Sequence, residues 1–192
     1  METEIDHMKV HYVYPSHDHS SLVYYGNVCN TILQQGIRYY YKNKSFDANE
    51  VLPGLFIGSL DSIYDTETLN KAGITHIIVA IAGFKPPFPN EFNYLVVNAL
   101  DSEYTDISSI FDTTNQFIDS AFEQLGKVLI VCMAGVSRSS TILAAYIIST
   151  FGVTSRLALD MIRSGRNIIE PNKEFKKQLE IFAKKLKQHK DY

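Results

Sequence analysis

The chain has 192 residues, 45% hydrophobic, 12% aromatic and 20% charged, which is enough apolar material for a core and excludes disorder throughout. Its longest apolar runs, 77–84 and 128–136, are far shorter than the ~18 residues of a membrane span, so no membrane partner is expected. The net charge of −3 is uneven: residues 173–190 hold seven Lys and two Glu, leaving a −8 body that argues against a nucleic-acid partner, while the basic stretch reads as a solvated helix face.

The N-terminus has no apolar h-region. The two cysteines, Cys29 and Cys132, cannot build a disulfide framework or a four-thiolate zinc site. Both features fit an intracellular chain, cytoplasmic or nuclear. A lone cysteine there raises the question of a nucleophile.

In chain order, residues 1–48 stand apart. They contain seven of the twelve Tyr and four of the six His, with little periodicity before a candidate helix at 27–41. They read as an extension that packs on the domain or on another copy, with a homodimer as the partner call. Residues 49–192 read as the main domain. Residues 51–58 read as a short strand with Pro53 at its edge. Asp65 caps a short helix, 66–72, that stops at Gly73. Residues 74–81 are a β-branched run and read as a buried strand. Three prolines make 85–90 a loop, and 92–98 is the next strand. Apolar residues at 107, 110, 111, 117, 118, 121 and 122 mark an amphipathic helix closed by Gly126. Residues 127–131 form a short apolar strand. Helices follow at 141–151, 155–163 and 172–187. Alternating strands and helices imply an α/β fold with a central mixed, mainly parallel sheet covered on both faces.

The strand 127–131 runs directly into Cys132-Met133-Ala134-Gly135-Val136-Ser137-Arg138-Ser139, and a helix follows. A loop between a strand and a helix N-terminus turns backbone N–H groups toward one point, and the helix dipole adds positive potential. Gly135 lets the loop curl. Arg138 offers a planar fork that matches two phosphate oxygens. Residues 133–138 therefore form a candidate phosphate cradle. A thiol in that field is acidified; cysteines at helix N-termini near Arg have pKa values of roughly 3.5–7.5, against ~8.5 when free. Cys132 becomes a thiolate aimed at phosphorus.

With Ser140, these residues resemble the signature of the cysteine-dependent protein phosphatases, and Ala-Gly-Val-Ser-Arg-Ser resembles its dual-specificity branch, in an atypical form without a docking domain. The resemblance spans residues ~50–183. It includes Val51-Leu-Pro-Gly-Leu-Phe-Ile-Gly-Ser59, Ala72-Gly-Ile-Thr-His-Ile-Ile78, Asp101-Ser102 with Asp106-Ile107, and Ile169-Glu-Pro-Asn172 with Phe175 and Gln178-Leu179. It implies the cysteine-phosphatase fold and hydrolysis of phosphotyrosine and phosphoserine or phosphothreonine in proteins, with no cofactor and no metal.

A tyrosine or serine oxygen is a poor leaving anion and needs an acid. The resemblance places that acid at Asp101, with Glu103 and Asp106 as rivals on the same loop and Asp106 suited to capping. It implies that the Ser139 hydroxyl assists departure of the thiolate. Asn172 is expected to fix the loop under the cradle, and Arg166 to be structural. The uncharged cradle side chains favour a phosphoprotein over a phosphoinositide.

Two positions depart from the family pattern. Val131 stands where the family usually has His, and Val79 where it often has Asn. The first predicts a higher Cys132 pKa or a looser cysteine than is usual, with slower turnover. It also keeps open a phosphoprotein-binding pseudophosphatase. The second removes a loop-bracing hydrogen bond. The histidines around His17-Asp18-His19 lack metal-ligand spacing. Tyr41-Lys42-Asn43-Lys44 is read as a chance match to the recognition loop of classical tyrosine phosphatases, and Cys29 has no assigned role.

Overall fold

The structure is a computed structural model and describes residues 9–15 and 46–190. The candidate helix 27–41, Cys29, the His17-Asp18-His19 cluster and Tyr41–Lys44 lie outside the described residues.

Among the described residues, six strands form one sheet: β1 Val10–Val13, β2 Ala48–Leu52, β3 Leu55–Ser59, β4 Ile74–Ala80, β5 Asn93–Val97 and β6 Lys127–Cys132. Their order is β1-β5-β4-β6-β3-β2, and every pair is parallel except β2–β3. The mixed, mainly parallel sheet of the sequence reading is present. Among the described residues the α-helices are α1 Thr66–Ala72, α2 Phe111–Glu123, α3 Arg138–Phe151, α4 Ser155–Gly165 and α5 Lys173–Lys190.

The strand interiors alternate strictly between two apolar layers. Ile57, Ile78, Leu95, Ile130 and Cys132 face one core with Phe111, Ile118, Ile142, Ile147 and Phe175 from the helices. Phe56, Ile77, Val79, Val96, Leu129 and Val131 face a second core closed by Leu60, Ile63, Leu69, Phe84 and Phe92. Burial on both faces explains the β-branched runs in β4 and β6. Helix α3 is buried over most of its length because the other helices of its layer surround it.

Three expectations need correction. Residues 51–58 are not one strand. The chain reverses at Pro53-Gly54, so β2 and β3 pair as an antiparallel hairpin, with Glu50 Oε1 accepting the Gly54 N–H at 2.7 Å. The helix expected from 107 begins as a 3-10 turn, Ile107–Ile110, before α2. Gly126 does not supply the left-handed residue that ends α2. Leu125 does, at φ 57°, while Leu125 N–H donates to Phe122 O and Gly126 N–H to Ala121 O. Gly126 is required for a different reason: a Cβ there would lie 2.2 Å from Thr75 Oγ1. The helix α1 and its caps match expectation, with Asp65 accepting from Thr68 N–H and Gly73 left-handed at φ 75°.

Part of the N-terminal region belongs to the sheet. β1 pairs with β5 from Val10↔Tyr94 to Val13↔Val97, and Val13 O accepts from Asn98 N–H at 2.9 Å. The boundary expected at residue 48 falls inside the hairpin, because β2 starts at Ala48.

Leu125 is 95% exposed and gains no packing from its strained backbone. Leu125→Gly should therefore raise unfolding stability by about 1 kcal/mol in a urea titration.

Candidate active site

The segment 132–139 leaves the C-terminal end of β6, a central strand, and enters α3. Ligand sites of open α/β sheets form at such strand ends. What shapes this one is where its carbonyls go. Met133 O accepts from Leu60 N–H at 3.3 Å, and Val136 O from Glu170 N–H at 2.9 Å. Ala134 O and Gly135 O accept from the Arg166 guanidinium at 3.2 and 3.1 Å. Ser137 O accepts from Thr141 N–H and from the Ser140 and Thr141 hydroxyls. In a trans peptide the next N–H points opposite to the carbonyl. With the carbonyls of 133–137 turned outward, the amides that follow them are turned in.

Cys132 is buried at the floor of that cradle. Its Sγ lies 3.2 Å from the Ser139 hydroxyl. Burial pushes the thiol pKa up. The Ser139 hydroxyl and amide, the Arg138 charge and the Val136 amide outweigh it, so the net direction is below the ordinary cysteine value. Each favours the thiolate.

Arg138 lies at the rim. Its Nη1 donates to Ala99 O at 3.2 Å, which ties it to the loop after β5. Its Nε is buried with no hydrogen-bond partner among the described residues and faces Asp101 Oδ2 at 3.7 Å. A buried guanidinium N–H left open in this way is a donor suited to an oxyanion.

Asp101 is held from one side. Its Oδ1 accepts from the Ser137 hydroxyl and from Asn172 Nδ2, each at 2.9 Å. Its other oxygen, Oδ2, accepts neither of these bonds and faces Arg138 Nε. Asp106 precedes the 3-10 turn and accepts the Ser108 hydroxyl at 2.7 Å, while Glu103 is exposed on the same loop.

The dual specificity phosphatase catalytic-domain family matches residues 55–185. The chain belongs to that family. It is 42% identical over 139 residues to MAP kinase phosphatase with leucine-rich repeats protein 3 of Dictyostelium discoideum, covering 72% of this chain but 16% of that protein. It is 36% identical over 140 residues to dual specificity protein phosphatase 1B of Arabidopsis thaliana, covering 73% of this chain and 84% of that one. Among solved structures, the human tyrosine phosphatase-like serine/threonine/tyrosine-interacting protein aligns with a TM-score of 0.69 and 36% identity, over 73% of this chain and 97% of that one.

In this dual-specificity phosphatase domain the two departures from the family pattern are one feature. Val79 and Val131 are register partners on β4 and β6, both fully buried, and Val96 of β5 continues the row. The row faces the layer opposite to Cys132. Each buried valine contributes roughly 1.5–3 kcal/mol through burial, so the pair strengthens the core beneath Cys132 without offering it a polar contact. The loop after β4 is nevertheless braced, because Asn98 Oδ1 accepts from Gly83 N–H at 2.7 Å.

The sequence reading placed Asn172 under the loop. The structure ties it to Asp101 as well, and its Oδ1 caps α5 through Phe175 N–H. Gln178 pins the loop that carries Asp101, donating to Thr105 O and accepting from Ser108 N–H, each at 3.0 Å. Ser137, a cradle residue by sequence, also holds Asp101 through its hydroxyl, a tertiary contact across 36 positions that has no local signal. Among the described residues, no cluster of three or more His, Cys, Asp or Glu could hold a metal ion.

Alkylation of Cys132 by iodoacetamide, followed against pH, reads the thiolate directly. The wild-type inflection should lie below that of a free thiol, and Ser139→Ala should raise it. An unshifted inflection in Ser139→Ala would remove the hydroxyl from the sulfur's electrostatics.

Proposed function

We propose that the chain hydrolyses phosphotyrosine and phosphoserine or phosphothreonine monoesters in proteins through a cysteinyl-phosphate intermediate. The observation that carries this is a buried, acidified thiol beside the Ser139 hydroxyl, ringed by inward amides, with an Arg138 Nε–H that makes no hydrogen bond among the described residues and a side-tethered carboxyl at the rim.

The Cys132 thiolate attacks phosphorus in line with the leaving oxygen. The S–P bond forms as the P–O bond breaks, and Asp101 Oδ2 delivers its proton to that oxygen. The amides of the cradle and Arg138 bind the three remaining phosphoryl oxygens, whose charge they stabilise through the transition state. Asp101, now a carboxylate, takes a proton from water as it attacks. The P–S bond breaks, and the Ser139 hydroxyl donates to the departing sulfur. Ser137 and Asn172 act on Asp101, leaving Oδ2 as the oxygen that exchanges its proton.

The exposed cradle side chains, Met133 and Ala134, carry no charge, and Leu100 and Tyr104 are exposed on the acid loop. This rim suits a protein segment better than a polyanionic headgroup. No single helix among the described residues is long and apolar enough to cross a membrane.

A second reading is phosphoprotein binding with little or no turnover. It is favoured by the apolar Val79–Val131 pair beneath the nucleophile. Both Cys132 and Arg138 are present, which supports the hydrolytic reading.

With p-nitrophenyl phosphate, Cys132→Ser should abolish turnover, and Asp101→Asn should lower kcat roughly 10²–10⁴-fold. Undiminished activity in either variant removes the assigned role. Phosphopeptide binding by the wild type without phosphate release selects the second reading.

A further inference from the structure

Arg166 is not in the phosphate cradle, yet it grips two of its peptides. It follows the last turn of α4 and is 4% exposed. Nε donates to Gly135 O at 3.1 Å and Nη2 to Ala134 O at 3.2 Å. On the other side, Nη1 and Nη2 donate to the two carboxylate oxygens of Asp47 at 2.9 and 3.0 Å, and Nη1 also to Asn49 Oδ1 at 2.9 Å. A guanidinium is planar and rigid, so fixing one edge on a carboxylate fixes where the opposite edge points.

The loop has no slack against this clamp. Gly135 sits at φ +66°, and a Cβ there would lie 2.5 Å from the Gly58 carbonyl carbon and 2.9 Å from Arg166 Nη2. Gly58 is itself closed on the far side, where a Cβ would meet Asp47 O at 2.6 Å. Cradle, β3 and the residues leading into β2 are therefore stacked backbone on backbone. The same Asp47 carbonyl accepts from Ser59 N–H at 3.0 Å, which fixes Asp47 independently of its side chain.

Turning Gly135 O toward Arg166 turns the Val136 N–H the opposite way, toward the Cys132 sulfur. Turning Ala134 O outward does the same for the Gly135 N–H. We propose that Asp47 is a positioning residue of the phosphate cradle, clamping Arg166 so that the peptides 134–135 and 135–136 hold their N–H groups inward. Asp47 lies outside residues 55–185, so a side chain from the segment that precedes the family domain sets the geometry of its central loop. The hydrogen bonds from Arg166 hold the Asp47 carboxyl below the usual aspartate range, so the clamp is charged at neutral pH. Removing the carboxylate leaves the buried guanidinium with Asn49 Oδ1 as its remaining partner on that edge among the described residues, and no bidentate grip to hold the opposite edge on the carbonyls.

The kinetic part of this proposal rests on the hydrolytic reading; the thiolate and phosphate parts do not. The test uses the full chain carrying Asp47→Ala or Asp47→Asn. Four quantities are read: melting by circular dichroism, the pH profile of Cys132 alkylation with peptide mapping, protection of Cys132 by inorganic phosphate, and kcat and KM for p-nitrophenyl phosphate. In folded Asp47→Ala the alkylation inflection should rise. Phosphate protection should weaken about tenfold, and kcat should fall about tenfold, the scale expected when preorganised donors are misplaced by a fraction of an ångström. Asp47→Asn, which keeps one acceptor oxygen, should fall between. If Asp47→Ala does not fold, Asp47→Asn decides by the same readouts. A variant that melts earlier but keeps the wild-type inflection and phosphate protection overturns the proposal, because the ion pair would then be structural only. Absence of turnover in the wild type would defeat hydrolysis while leaving the alkylation and phosphate comparisons intact.

Discussion

A loop can gather its amide N–H groups at one point only if each carbonyl has a partner elsewhere. Here the carbonyls of 133–137 are taken in turn by Leu60, Arg166, Glu170 and the first turn of α3. Those partners come from different elements: the turn after β3, the end of α4, the loop before α5 and α3 itself. The fold thus meets at this loop, and the site's positive potential is made from backbone dipoles and one arginine. A chain of net charge −3 can therefore present a locally positive loop, because net charge does not count oriented amides.

The sheet supplies the frame. β6 lies between β3 and β4 with both faces buried, so its C-terminal end is positioned by two parallel neighbours. Cys132 faces the helical layer and Val131 the opposite layer. That alternation separates two tasks that adjoin in sequence. The Val79–Val131 pair tightens the core, while the thiol is tuned from its own side by Ser139, Arg138 and the Val136 amide. The loop carrying Asp101 is fixed from the α5 side through Asn172 and Gln178, so Cys132 is placed by the sheet and Asp101 by the last helix.

Much of this was legible in the residues. The β-branched run of β4, Asp65 and Gly73 around α1, and the strand-loop-helix carrying Cys132 and Arg138 follow from local rules. The hairpin at Pro53-Gly54 was missed because two short strands joined by a two-residue turn look like one interrupted strand. Leu125 was missed as the helix terminator because a glycine stood next to it and is the ordinary choice. The clamp of Asp47 on Arg166 has no local signature. It joins residues 119 positions apart, and neither belongs to the Cys132–Ser139 motif. Likewise the tether from Asn172 to Asp101 spans 71 positions and exists only once α5 has docked.

The central claim is that Cys132 carries the phosphoryl group between two half-reactions. Acid quenching during turnover of p-nitrophenyl phosphate, followed by peptide mass spectrometry, tests it most directly. The account predicts phosphate on the peptide containing Cys132, present in the wild type and absent in Cys132→Ser. Phosphate found on another residue, or turnover by Cys132→Ser at the wild-type rate, would contradict it.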